Sequence, residues 1–147
     1  MASIVIDSSA IVSILLAEAE AAEFTQWMEE ADEIFLSSMN FVESAIVLES
    51  RDPVRGGRRL DAFLQEAKVI VAPIDVSQAM LARLAYQDFG KGRHRASLNL
   101  GDCFAYALAK QKGLPILAKG EEFSRTDLRV LPVRAGRGRL GRLESPP

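Results

Sequence analysis

Ile4-Val5-Ile6, Ile34-Phe35-Leu36 and Val69-Ile70-Val71 are short, continuous apolar runs, each followed by a stretch of helical period. Such a run is too short for a buried helix. A strand with no polar alternation is one covered on both faces. Strands of this kind separated by helices imply an α/β fold, with a parallel sheet between helical layers. The chain has 147 residues, the size of one ordinary domain. A domain of that size buries roughly two-thirds of the surface it exposes when unfolded, enough for a sizeable core.

The spacing of apolar residues sets the helices. Asp7-Ser8-Ser9 supplies N-cap candidates for a helix over residues 10–17. A second helix covers about residues 19–31, with Phe24, Trp27 and Met28 on its buried face. A third covers about residues 40–49, with Phe41, Ala45 and Leu48 spaced for burial. Asp52-Pro53 and Gly56-Gly57 interrupt the pattern, and residues 58–67 resume it with Leu60, Phe63 and Leu64 as the stripe. Residues 78–89 are helical, with Met80 or Leu81, Leu84 and Ala85 inward. Residues 90–99 are basic and aperiodic and read as a loop, and residues 100–112 form a helix ended by Gly113. Strands at 115–118 and 129–133, with a short helical turn at 121–123, complete a domain over residues 1–133. Residues 134–147 have no apolar period and read as a flexible basic tail.

Four acids stand at the edges of these segments: Asp7 after the first strand, Glu43 inside the third helix, Asp102 at the start of the 100–112 helix, and Glu122 after the 115–118 strand. A carboxylate beside a core segment is costly to desolvate unless something pairs with it. Neither Asp7 nor Glu43 has a Lys or Arg adjacent in sequence. In a parallel sheet, sites lie beyond the carboxyl ends of the strands at a switch point. Asp7 and Glu122 both follow strands, which fits one shared site. Carboxylates brought together there need a cation, and a hard divalent ion with oxygen ligands meets that need. Taken singly, each acid has another reading, and for Asp102 it is a helix cap.

Other chemistry is narrowed by composition. Cys103 is the only cysteine, which rules out an internal disulfide and a cysteine-based zinc site, and its neighbours Phe104 and Ala105 mark a buried thiol. His94 is the only histidine and lies in the basic loop, where a surface or phosphate-contacting role outweighs that of a general base. The apolar runs fall short of a membrane helix, and Asp7 interrupts the stretch that a signal peptide would keep apolar. The expected location is the cytoplasm. Net charge is −2, but basic residues gather at 51–59, 91–95 and 125–142, the places where a phosphate backbone would be met.

The segments Val5-Ile6-Asp7-Ser8-Ser9-Ala10, Leu100-Gly101-Asp102-Cys103-Phe104-Ala105-Tyr106-Ala107-Leu108-Ala109 and Gly113-Leu114-Pro115-Ile116-Leu117-Ala118-Lys119-Gly120-Glu121-Glu122-Phe123, with Glu43 between them, resemble a PIN-domain ribonuclease. The likeness is strongest to the VapC toxins of bacterial toxin–antitoxin pairs and covers residues 3–133. It implies a three-layer α/β/α fold around a mainly parallel sheet, and Mg²⁺- or Mn²⁺-dependent cleavage of RNA that leaves 5′-phosphate and 3′-hydroxyl ends. It places Asp7 and Asp102 on the principal metal-ligand positions, Glu43 on a third acidic position and Ser9 on a hydroxyl position supporting the first acid. The fourth acidic position, usually Asp, falls on Glu122, with Glu121 beside it. Asp127 is a further candidate for support. Lys91, Arg93 and Arg95 are expected to position the RNA backbone. The implied partners are a small VapB-type antitoxin and a second copy of the chain, and the exposed apolar surface for both contacts is expected between Phe24 and Leu64.

Two rivals use the same residues. A strand ending in Asp also opens haloacid-dehalogenase-type phosphatases, but these need a second acid two residues on, and that position is Ser9. A non-catalytic PIN-like module that only binds RNA or a partner has support only from Glu in place of Asp at the fourth acidic position.

Overall fold

The computed structural model describes residues 2–133, so the tail read at 134–147 lies outside the described residues. In chain order the elements are β1 (Ile4–Ile6), α1 (Ser8–Leu15), α2 (Ala21–Glu30), β2 (Ile34–Ser37), α3 (Ser38–Arg51), α4 (Gly56–Glu66), β3 (Val69–Ala72), α5 (Val76–Phe89), α6 (Leu100–Lys112) and β4 (Ile116–Leu117), followed by a 3-10 turn at Phe123–Arg125. The strands form one parallel sheet in the order β3-β2-β1-β4.

The continuous apolar strands split their side chains between two cores. Ile4, Ile6, Ile34, Leu36 and Leu117 face one way, against Ile11, Phe24, Met28, Leu48, Leu60 and Leu64 of α1 to α4. Val5 and Ile116 face the other way, against α5 and α6, with half-buried Phe35 packed beside them. The result is the three-layer α/β/α arrangement that a period-2 strand buried on both faces requires.

Three details depart from the sequence reading. The strand expected at 129–133 is reduced to a single parallel bridge between Ile116 and Val130, since β4 spans only two residues and Pro132 has no N–H to extend the ladder. On α3 the buried positions are Asn40, Ser44 and Leu48, whereas Phe41 and Ala45 are half-buried. On α5 they are Gln78, Ala82 and Ala85, while Met80 and Leu84 are 60% and 51% exposed. The small alanines let α5 lie close against α6, and Gln78 Nε2 donates to Pro73 O at 3.1 Å and to Gln111 Oε1 at 2.8 Å, while its Oε1 is buried without a partner.

Candidate active site

The sheet order puts the switch point between β1 and β4, because the chain leaves β1 toward β2 and returns on the other side. Asp7 stands there. Its N–H donates to Leu117 O at 2.9 Å, and its extended backbone makes it the N-cap of α1. Ser9 N–H donates to Asp7 Oδ2 at 3.0 Å, whereas Asp7 Oδ1 is buried with no hydrogen-bond partner. Burial raises the carboxyl from 3.8 to about 6, with Glu43 adding to the rise and bonds from Ser9 and Ser8 opposing it. Ser9 Oγ also accepts the Lys119 N–H at 2.9 Å, which joins α1 to the loop after β4.

Glu43 is tied to three helices. Ser8 Oγ of α1 donates to its Oε1 at 2.7 Å, and Asn40 Nδ2 donates to the same oxygen at 3.0 Å. Asn40 Nδ2 also donates to Gly101 O of α6 at 3.1 Å. The Glu43 carboxylate lies so close to Gly101 that a Cβ there would sit 2.0 Å from Oε2.

Asp102 is the third residue of α6 and half of a reciprocal cap. Asn99 Oδ1 accepts the Asp102 N–H at 2.9 Å, and Asp102 Oδ2 accepts the Asn99 N–H at 3.0 Å. The Asp102 carboxyl is pushed up from 3.8 to about 7, chiefly by burial, then by the charge of Asp7, with smaller additions from Glu122 and Glu43 against the opposing bond from Asn99. Cys103 is buried, as its neighbours implied, and its thiol is pushed up to about 11 by burial and by Asp102.

Glu122 is exposed and folds back over Gly120, where a Cβ would meet Glu122 Oε1 at 2.5 Å. Gly120 is required by its backbone, because its φ is +94°. Glu121 pairs with Arg125 at 3.1 Å. Asp127, expected as a supporting residue, is bonded to residues of α6. Tyr106 Oη donates to its Oδ1 at 2.6 Å and Lys110 Nζ to its Oδ2 at 2.9 Å, and these bonds hold its carboxyl below the usual range.

Lys91, Arg93 and Arg95 are exposed on the segment between α5 and α6. That segment is anchored, unlike the aperiodic loop read from sequence. Gly90 and Leu98 form a bridge, Ala96 and Leu98 are buried, and His94 Nδ1 accepts the Ala96 N–H at 3.0 Å. The His94 ring meets Phe89 edge-on at 5.1 Å, so it acts as a loop fastener. Arg93 lies 5.5 Å from the Tyr86 ring centroid, and Tyr86 Oη donates to Lys91 O at 3.1 Å.

With this geometry in place, a PIN-domain profile matches residues 4–128. The chain belongs to the PIN-domain family. Ribonuclease VapC of Mycolicibacterium smegmatis is 49% identical over 124 residues, covering 84% of this chain and 96% of that protein. Ribonuclease VapC30 of Mycobacterium tuberculosis is 48% identical over 130 residues, covering 88% and 98%. Within the PIN-domain family the chain therefore falls among the VapC ribonucleases. Solved structures share the fold at low identity. VapC20 of Mycobacterium tuberculosis, a Sarcin-Ricin loop cleaving toxin, matches with a TM-score of 0.70 at 18% identity, over 87% of this chain and 98% of that one. A toxin–antitoxin complex from Klebsiella pneumoniae matches with a TM-score of 0.67 at 16% identity, over 87% and 96%.

In this PIN domain no group of three or more Asp, Glu, His or Cys side chains among the described residues is placed to hold a metal ion between its members. A divalent ion that keeps most of its waters needs only one or two carboxylates. The buried, unpartnered Asp7 Oδ1 and the neighbouring Asp102 offer hard oxygen donors of that kind. Sequence reasoning missed Asn40, Ser8 and Gly101. The available signal was the i, i+4, i+8 set Asn40, Ser44 and Leu48, which puts two polar residues in line with a core leucine.

Proposed function

We propose that this VapC-family chain is an Mg²⁺- or Mn²⁺-dependent endoribonuclease acting in the cytoplasm as the toxin of a toxin–antitoxin pair. The observation that carries the reading is the gathering of Asp7, Glu43 and Glu122 close enough to Asp102 for their charges to add to the rise that burial gives its carboxyl, beside the buried, unpartnered Asp7 Oδ1. Asp7 and Asp102 would hold the ion. A bound divalent ion lowers the pKa of water and stabilises the leaving oxygen of a phosphodiester. Ser9 fixes Asp7, and Glu43 accepts a hydrogen bond from the attacking water and orients it in line with phosphorus. Glu122 adds negative charge at the exposed edge and helps to attract the cation. Lys91, Arg93 and Arg95 meet backbone phosphates and set the register of the RNA. The products carry 5′-phosphate and 3′-hydroxyl ends.

A VapB-type antitoxin is the partner expected to silence the site. A second copy of the chain is the other, and exposed apolar residues supply surface for it: Val42, Ile46 and Val54 within the range expected from sequence, and Val76, Met80 and Leu84 on α5 beyond it. No helix among the described residues is long and apolar enough to cross a membrane.

Sequencing RNA 5′ ends after a short pulse of expression tests the activity. Wild type should create a discrete set of new 5′-phosphate ends that Asp102→Asn does not. The same ends from both proteins would remove Asp102 from the chemistry, and RNA that is bound but never cut would return the chain to a binding module.

A further inference from the structure

Asn40 is fully buried on α3, three residues before Glu43. Its Nδ2 donates two hydrogen bonds, one to Glu43 Oε1 at 3.0 Å and one to Gly101 O at 3.1 Å. Its Oδ1 has no protein partner. A buried amide left half-satisfied lowers stability. An apolar side chain would therefore suit this position better if only folding were at stake. What the amide does provide is a link between the acid-bearing helices α3 and α6, made at the carboxylate itself.

Gly101 completes the arrangement from the opposite side. It is buried, and its φ lies outside the range that requires glycine. Space is what favours glycine here, since a Cβ would run into the Glu43 carboxylate and push it from the position that Ser8 and Asn40 hold. The carboxylate of Glu43 thus rests on the bare Cα of Gly101, with Asn40 and Ser8 donating to Oε1.

We propose that Asn40 and Gly101 are positioning residues that cradle the Glu43 carboxylate and fix the direction in which it faces the reacting water. The inference rests on the ribonuclease reading and deepens it by assigning two residues that touch neither RNA nor ion. Groups that orient an active-site ligand cost roughly 10–100-fold in metal affinity or activity when removed.

Two measurements test the cradle. In the first, a single-stranded RNA oligonucleotide carrying a fluorophore and a quencher is cut in the presence of Mn²⁺ by wild type and by Asn40→Ala. The variant should lose roughly 10–100-fold in kcat, with KM changed by less than about twofold and the urea midpoint close to that of wild type. Cleavage at the wild-type kcat would overturn the role of Asn40. In the second, urea midpoints are compared for wild type, Gly101→Ala, Glu43→Ala and the double variant. Gly101→Ala should lower the midpoint, and removing the Glu43 side chain should relieve most of that loss. An equal loss in both backgrounds would overturn the cradle. An oligonucleotide that wild type leaves intact counts against the ribonuclease reading, whereas the Gly101–Glu43 stability cycle judges the cradle by itself.

Discussion

Burial lifts the Asp7 carboxyl to about 6, and burial with the charge of Asp7 lifts that of Asp102 to about 7, both from 3.8. Each group binds its proton more tightly in the folded chain than in the unfolded one. Stability therefore falls as pH rises, starting near the unfolded value and ending once the folded values are passed. In urea denaturation without divalent ions, the stability that these two groups contribute should be full below about pH 4, fall between about pH 4 and pH 7 and level off above it. A rise over that interval would contradict the burial of these acids. Asp7→Asn should gain on the order of 2 kcal/mol at pH 7.5, because the amide keeps the N-cap acceptor and loses the charge that burial opposes. Asp102→Asn should be stabilised in the same direction. Both variants should fail to cut RNA. A variant that gains stability and still cuts at the wild-type rate would separate that residue from catalysis. At this scale the sequence was informative about Asp7, Glu43 and Asp102, since each is an acid at the margin of an apolar segment. It was silent on Gly101 and offered only a polar stripe at Asn40, since both roles exist only where α3 and α6 meet. The partners of Asp127 were not legible there either, because Tyr106 and Lys110 lie 21 and 17 residues away along the chain.

At the scale of elements, α6 carries the most readable signals: a polar N-cap, an acid three residues later, an apolar body and a terminal glycine. Gly113 adopts φ +67° as the C-cap, as its place after Lys112 implied. The cap at the other end serves the site directly, because Asn99 and Asp102 satisfy one another. Asn99→Ala should cost about 1 kcal/mol in thermal or urea unfolding. The bond to the Asp102 carboxylate comes from the Asn99 backbone N–H and survives the substitution, so RNA cleavage should slow only as far as the loosened first turn of α6 displaces Asp102, and Asn99→Ser should recover part of both losses. An Asn99→Ala protein with wild-type kcat would limit the cap to folding. The α3 and α5 faces were harder to read. A stripe argument assumes that large apolar residues point inward, yet α5 turns alanines to α6 and leaves Met80 and Leu84 outside. Close packing of two helices selects small side chains, and a period of 3.6 cannot tell that face from an apolar face kept for another protein.

For the whole molecule, the alternation of short apolar runs and helices was enough to fix the layer order, because an unalternated strand has nowhere to go but between two helical layers. Strand order was not written there, and neither was the way β1 and β4 frame the switch point. The outward stripe Val76, Met80 and Leu84 recurs every four residues along α5, where it forms one continuous side. If that side joins two copies, Met80→Glu with Leu84→Glu should shift sedimentation from dimer to monomer with little change in melting temperature. A dimer that survives both charges would move the contact elsewhere.

The proposed chemistry requires Asp7 and Asp102 to act as a single seat for a divalent ion. Mn²⁺ titration followed by electron paramagnetic resonance reads this directly, because bound Mn²⁺ loses the sharp signal of the free ion. Wild type should take up Mn²⁺ in competition with Mg²⁺, and Asp7→Asn and Asp102→Asn, both folded, should each lose most of that binding. Equal uptake by wild type and both variants would show that the carboxylates do not share an ion.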